Sequence, residues 1–265
     1  MKAQRKFLYP VLLILVAATF YFAEDLIDQK KSPEIIPPLA FKQLLPTSTK
    51  NQLIHHEGFS LSYREDHEQA EWTAHLLKQS DISYHRFDRP YFEQDPKVRT
   101  ESAPWWSYKN SGYDRGHLVP AADRKQDYTR YKETFYTSNV SPQNPEFNAG
   151  IWNRLEQKVR YWAEHYGEVL VISGGVLSED LPQIGEAGVS VPAYFYKVIY
   201  RAHPEPKAVA FLMPHEASEK ALYEFVVSID SIEMLTGIDF FHTLKIEDQQ
   251  KLEAQTDLKA WVFIE

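Results

Sequence analysis

A chain of 265 residues, 43% hydrophobic and 14% aromatic, can bury one sizeable core and lies near the upper end of single-domain size. It has no cysteine, which excludes disulfides, thiolate zinc sites and cysteine nucleophiles, and no repeat at a fixed period, which excludes a solenoid. A formal net charge of -8 excludes a uniformly basic surface of the kind a polyanionic partner favours.

At the N-terminus, Lys2, Arg5 and Lys6 precede an uncharged run from Phe7 to Ala23, and Glu24, Asp25 and Asp28 follow it. Such a run spans roughly 25 Å as a helix, so residues 1–24 read as a membrane anchor, with a signal cleaved near Val16-Ala17-Ala18 as the alternative. Cationic residues before it and acidic ones after it predict a membrane-anchored protein whose bulk lies outside the cytoplasm, on the periplasmic side in a bacterium. Residues 25–50, with Pro33, Pro37, Pro38 and Pro46, read as an extended linker, leaving 51–265 as the folded domain.

Within that domain, good helix formers among Ala70, Trp72, Ala74, Leu76 and Leu77 predict a short helix over Glu65 to Leu77. Residues 84–132 carry 10 basic against 7 acidic side chains, +3, whereas from Pro214 onward the count is 4 against 11, -7. This fits a locally basic cleft on an acidic body; two ordinary solvated faces are the bland alternative. From Gly150, the positions Ile151, Trp152, Leu155, Val159, Trp162 and Tyr166 recur at helical intervals and stop at Gly167, the strongest helix of the chain. Val169 to Val176 reads as a buried strand, and Ala193 to Tyr200 with Ala208 to Met213 as two neighbouring strands. Ala217 to Val227 and Ser231 to Leu235 read as helices, the second closed by Gly237. Strands and helices in mixed order predict an α+β fold.

Two segments carry chemistry: Asp114-Arg115-Gly116-His117, and, 31 residues after the histidine, a stretch from Asn148 to Glu156. An imidazole titrates near neutrality without special tuning, so His117 is a candidate general base that deprotonates a water. Arg115 offers a rigid fork of donors for a phosphate oxygen. The neutral carboxamide of Asn148 suits a hard, hydrated ion, Mg²⁺ or alternatively Mn²⁺; a cap on the following helix is the bland alternative, and the two roles can coexist. In one continuous helix Glu156 would sit about 12 Å along the axis from Asn148. Either Asn148 therefore precedes the helix or Glu156 acts through water on the ion; a surface pair with Arg160 is the bland alternative.

These segments, with Tyr113 to Asp123, the linking Phe135 to Gln143 and the later Thr236-Gly237-Ile238-Asp239-Phe240-Phe241, resemble the DNA/RNA non-specific endonucleases of the ββα-metal type. The resemblance implies a central antiparallel sheet with packed helices and a ββα-metal motif at the active site. It further implies metal-dependent hydrolysis of DNA and RNA, an outer-shell role for Glu156 and a supporting role for Asn139 at the site. It gives a second phosphate contact to Arg89, or else to Arg86 in the same Arg86-Phe87-Asp88-Arg89 stretch. Two positions depart from the family, Ala149 where Gln is frequent and Gly175 where Pro is frequent; both bear on substrate preference. Phosphodiester hydrolysis of another substrate and a catalytically silent nucleic-acid-binding module are the competing readings.

Overall fold

The computed structural model describes residues 39–50, 52–254 and 256–263, so the expected segment 1–24 and most of the linker lie outside the described residues. Seven strands build one antiparallel sheet: β1 (Leu53–His55), β2 (Ser60–Arg64), β3 (Gln69–Lys78), β6 (Glu168–Gly175), β9 (Tyr194–Arg201), β10 (Lys207–Pro214) and β11 (Val226–Val227), in that spatial order. Two short ribbons stand apart from it, β4 (Asp114–His117) with β5 (Val140–Gln143) and β7 (Gln183–Ile184) with β8 (Val189–Ser190). The helices are α1 (Leu39–Lys42), α2 (Tyr128–Glu133), α3 (Asn153–Tyr166), α4 (Ile229–Thr236) and α5 (Ile246–Glu253). The mixed order and antiparallel sheet are those expected of the α+β class.

Both faces of the sheet are covered, and the two-residue period of a strand sorts the side chains between them. Val169, Val171, Phe195, Ile199, Val209 and Phe211 join Leu155, Val159 and Trp162 of α3 in one core. Leu170, Ile172, Tyr196, Val198, Ala208 and Ala210 join Ile229 and Ile232 of α4 and Leu252 of α5 in the other. With apolar partners on both sides, β6, β9 and β10 read as near-continuous hydrophobic runs, which is why they were legible as strands.

Three expectations change. The helix expected over Glu65 to Leu77 is the central strand β3: Trp72, Ala74 and Leu76 recur every second residue and face one core, and the ladders to β2 and β6 override helix propensity. The helix expected over Ala217 to Val227 is a 3-10 turn at Leu222–Phe225 followed by β11. Here the Glu224 carboxylate accepts from the Ala221 amide at 3.0 Å, and the β-branched pair Val226 and Val227 adds to the sheet edge opposite Phe211 and Ala210. Residues 39–50, expected as the end of a tether, carry buried Phe41 and Leu45 in the second core, and Thr47 accepts from the Trp72 indole at 2.8 Å. The expected α4 stands, with Ser228 as N-cap and Gly237 in the left-handed conformation (φ 70°) after its last turn.

Candidate active site

The β4–β5 ribbon and α3 form a ββα unit on the first face of the sheet. Asp114 pairs with Gln143 and His117 with Val140, so the whole Asp-Arg-Gly-His segment is a strand. The two strands approach so closely that a Cβ on Gly116 would lie 2.1 Å from Oε1 of the buried Gln143, and only glycine fits there. After β5, the Asn144 side chain accepts from the amides of Glu146 and Phe147, capping the single turn Pro145–Phe147. The chain then breaks at Gly150 (φ -94°, ψ -109°) before α3 begins at Asn153. Asn148 therefore precedes the helix, the first of the two arrangements open from the sequence. His215 fixes this corner, its Nε2 accepting from the Asn144 amide at 2.6 Å and its Nδ1 bonding the Pro192 carbonyl at 2.9 Å.

Arg115 and His117, two residues apart on β4, share a neighbour in Phe92. The Arg115 guanidinium lies 4.7 Å from the Phe92 ring centre and the His117 ring 5.4 Å. Arg89 is 5.8 Å from the same ring, so the structure brings Arg89, Arg115 and His117 together around one aromatic side chain. The cleft in front of them is lined by Arg89, Pro90, Tyr91, Phe92, Trp105 and Arg115.

His117 is partly exposed as a residue, but its ring Nε2 is buried without a hydrogen-bond partner. Burial first, and the positive charge of Arg89 second, push its pKa down to about 4, so the ring is neutral at neutral pH. Its carbonyl accepts from the Trp152 indole at 3.4 Å, tying the strand to the start of the helix. Asn148 donates from Nδ2 to Asp114 Oδ2 at 3.0 Å, which leaves its Oδ1 as the atom able to meet a cation.

Asn139 is fully buried and its amide is spent on the backbone, donating to Val119 and Thr134 carbonyls and accepting from the Val119 amide at 2.9 Å. It holds the chain immediately after His117 and does not reach the cleft.

Glu156, in the first turn of α3, feels the charges of Lys197, Asp123 and Arg160. Burial pushes its carboxyl up and pushes the Lys197 ammonium down, while the opposite charges of the two act against both shifts. Lys197, 1% exposed, bonds Ser173 Oγ at 2.5 Å and lies 4.3 Å from the Trp152 ring centre. Arg160 pairs with Asp123 at 2.9 Å, and Asp123 also accepts from His75 at 3.1 Å. Sequence reasoning missed Phe92, Lys197 and His215. For Lys197 a signal existed, a lone cation in the middle of the apolar run Phe195 to Ile199; Phe92 and His215 carry none, because their roles come from contacts distant in sequence.

Comparison with known proteins matches this architecture. The model of the DNA/RNA non-specific endonuclease family matches residues 37–247. The chain is 35% identical over 203 residues to the mitochondrial nuclease EXOG of Danio rerio, covering 70% of this chain and 59% of that protein. It is 31% identical over 208 residues to the mitochondrial endonuclease G of Homo sapiens, covering 71% and 69% respectively. A crystal structure of the EndoG/EndoGI complex, described as showing the mechanism of EndoG inhibition, superposes with a TM-score of 0.74 at 27% identity, over 84% of this chain and 98% of that chain.

These relatives overturn the expected location in a membrane with the domain outside the cytoplasm, because they are mitochondrial nucleases. Among the described residues no helix is long and apolar enough to cross a membrane, and the 7–23 run lies outside them. A basic start followed by apolar residues is common to several kinds of targeting segment and so does not fix a compartment. The family match over most of the chain, with the ββα unit carrying its Asp-Arg-Gly-His strand, places the chain in the DNA/RNA non-specific endonuclease family.

Proposed function

We propose that the cleft beside β4 hydrolyses phosphodiester bonds in DNA and RNA with the aid of one divalent cation, Mg²⁺ by preference. The observation that carries this is the neutral His117 with an unpartnered Nε2, beside Arg115 and Arg89 and next to an asparagine whose amide is oriented by Asp114. His117 removes the proton from an attacking water, the role of a positioned base. Arg115 meets the negative charge that builds on the phosphoryl oxygens, and Arg89 holds a neighbouring phosphate. Asn139 keeps the Leu118-Val119 backbone in place behind the base, and Glu156, with Lys197 as its counter-charge, orients water at the site.

The donor set fits a hard cation. Asn148 Oδ1 is a neutral oxygen ligand, and such a site leaves most of the ion's coordination to water and substrate. When bound, a divalent ion there supplies charge stabilisation at phosphorus and at the leaving oxygen. Contacts of this kind address the backbone, so both sugars are accepted. The catalytic unit is residues 51–265, with 39–50 packed upon it.

The test is cleavage of plasmid DNA and of RNA by the purified full chain, with and without EDTA, beside Asn148→Ala. Cleavage of both polymers that EDTA abolishes is expected, with Asn148→Ala needing more Mg²⁺ for half-maximal rate. EDTA-resistant cleavage removes the ion from the reading, and hydrolysis confined to small phosphodiesters would replace the substrate class.

A further inference from the structure

On the face of the sheet opposite the ββα unit, α4 and α5 bring three carboxylates together. Asp230 and Glu233 lie one turn apart on α4 and Glu253 ends α5; one oxygen of each lies within 4.8 Å of the others. Ligands of a Ca²⁺-sized ion, at about 2.3–2.6 Å from it, lie at most about 5 Å apart, so the three oxygens can share one such shell.

A second observation points to a ligand. Glu253 is 5% exposed, and its Oε1 is buried without a hydrogen-bond partner. A buried carboxylate oxygen left bare is costly unless a cation or a proton meets it. None of the three carboxylates forms an ion pair among the described residues, and Asp239 adds a fourth negative charge nearby. Glu233 Oε1 already accepts from the Phe240 amide at 2.7 Å, which fixes that carboxylate in place.

We propose that Asp230, Glu233 and Glu253 form a structural site for a divalent cation of the Ca²⁺ class, separate from the catalytic cleft, which clamps α5 to α4. Hard oxygen donors with no nitrogen or sulfur favour such an ion over zinc or copper. Waters complete the shell on the side of the exposed Asp230.

Thermal unfolding of the full chain during titration with CaCl₂ tests this against Asp230→Asn/Glu253→Gln. The wild-type Tm should rise with Ca²⁺ by about 5 °C more than that of the double variant. The difference should set in between about 0.1 and 1 mM, the range of modest carboxylate sites, and grow with the logarithm of Ca²⁺ above it. An ion in the catalytic cleft adds equally to both proteins and cancels. Without Ca²⁺ the double variant should melt at or above the wild-type temperature, because the crowded carboxyl groups no longer repel one another or need a proton to stay buried. Equal Ca²⁺-dependent rises, or no rise in either protein, would overturn the proposal and leave Glu253 simply protonated. Should the double variant not fold, Glu253→Gln alone, which keeps the shape of the side chain, is read in the same way.

Discussion

In the function proposed above, His117 and Glu156 govern proton transfer at the cleft, and their environments push them in opposite directions. His117 is held low, so its base form persists from neutrality down to about pH 4 and activity that depends on it is lost only as pH falls through that value. His117→Ala should lower turnover by about two to four orders of magnitude while the protein melts as wild type does. A folded variant that cleaves normally would remove it as the base. Glu156 is held high by burial and Lys197 opposes that shift. Removing the cation in Lys197→Met makes the carboxylate harder to form, so the acid limb of kcat/KM nearer neutrality should move to higher pH, by about one unit or more. An unmoved limb would show that Glu156 does not need to be charged. His117 was legible as a residue because of its Asp-Arg-Gly context, but its depressed pKa was not: it arises from burial around the ring and from Arg89, 28 positions earlier in the chain.

Between β4 and β5 the contact is too close for any side chain at Gly116. In Gly116→Ala the new methyl group collides with the Gln143 side chain, and the ribbon that carries Arg115 and His117 must shift. Overpacking of this kind costs about 1–3 kcal/mol, read from denaturant midpoints, and activity should fall further than stability because the strand holds the base. Gly116→Ala/Gln143→Ser should recover most of both; failure to recover either would mean that the glycine serves the backbone instead. At this scale α3 was readable from its apolar stripe and its stop at Gly167, and β6, β9 and β10 from runs buried on two sides. The strand β3 reads as a helix in the sequence because alanine, leucine and glutamate favour that state, and only pairing with β2 and β6 overrides the preference. The break at Gly150 was equally hidden, and it is what frees Asn148 from the helix.

Across the whole molecule, an acidic body of net charge -8 carries a cleft with two arginines, so attraction of a polyanion depends on few contacts. With about two phosphates neutralised, log kcat/KM should fall against log salt with a slope of about -2, and Arg89→Ala should make that slope shallower by about one. A slope that is the same in Arg89→Ala and wild type would place Arg89 outside the substrate path and return the choice to Arg86.

Local sequence by itself pointed to the phosphodiester-cleaving class and to His117, Arg115 and Asn148 as candidates, because those depend on residue chemistry and on spacings within one short segment; the ββα order came with the family resemblance. Only the tertiary structure decided which arginine reaches the cleft, that Asn139 is spent on backbone, and that the charge of Lys197 acts on Glu156. Each of those outcomes is set by burial and by neighbours brought from elsewhere in the chain: Phe92 from the loop before β4, Thr134 after α2, and Lys197 from the centre of the sheet. Desolvation and long-range contact have no local pattern, and they were the part that the linear order of residues did not hold.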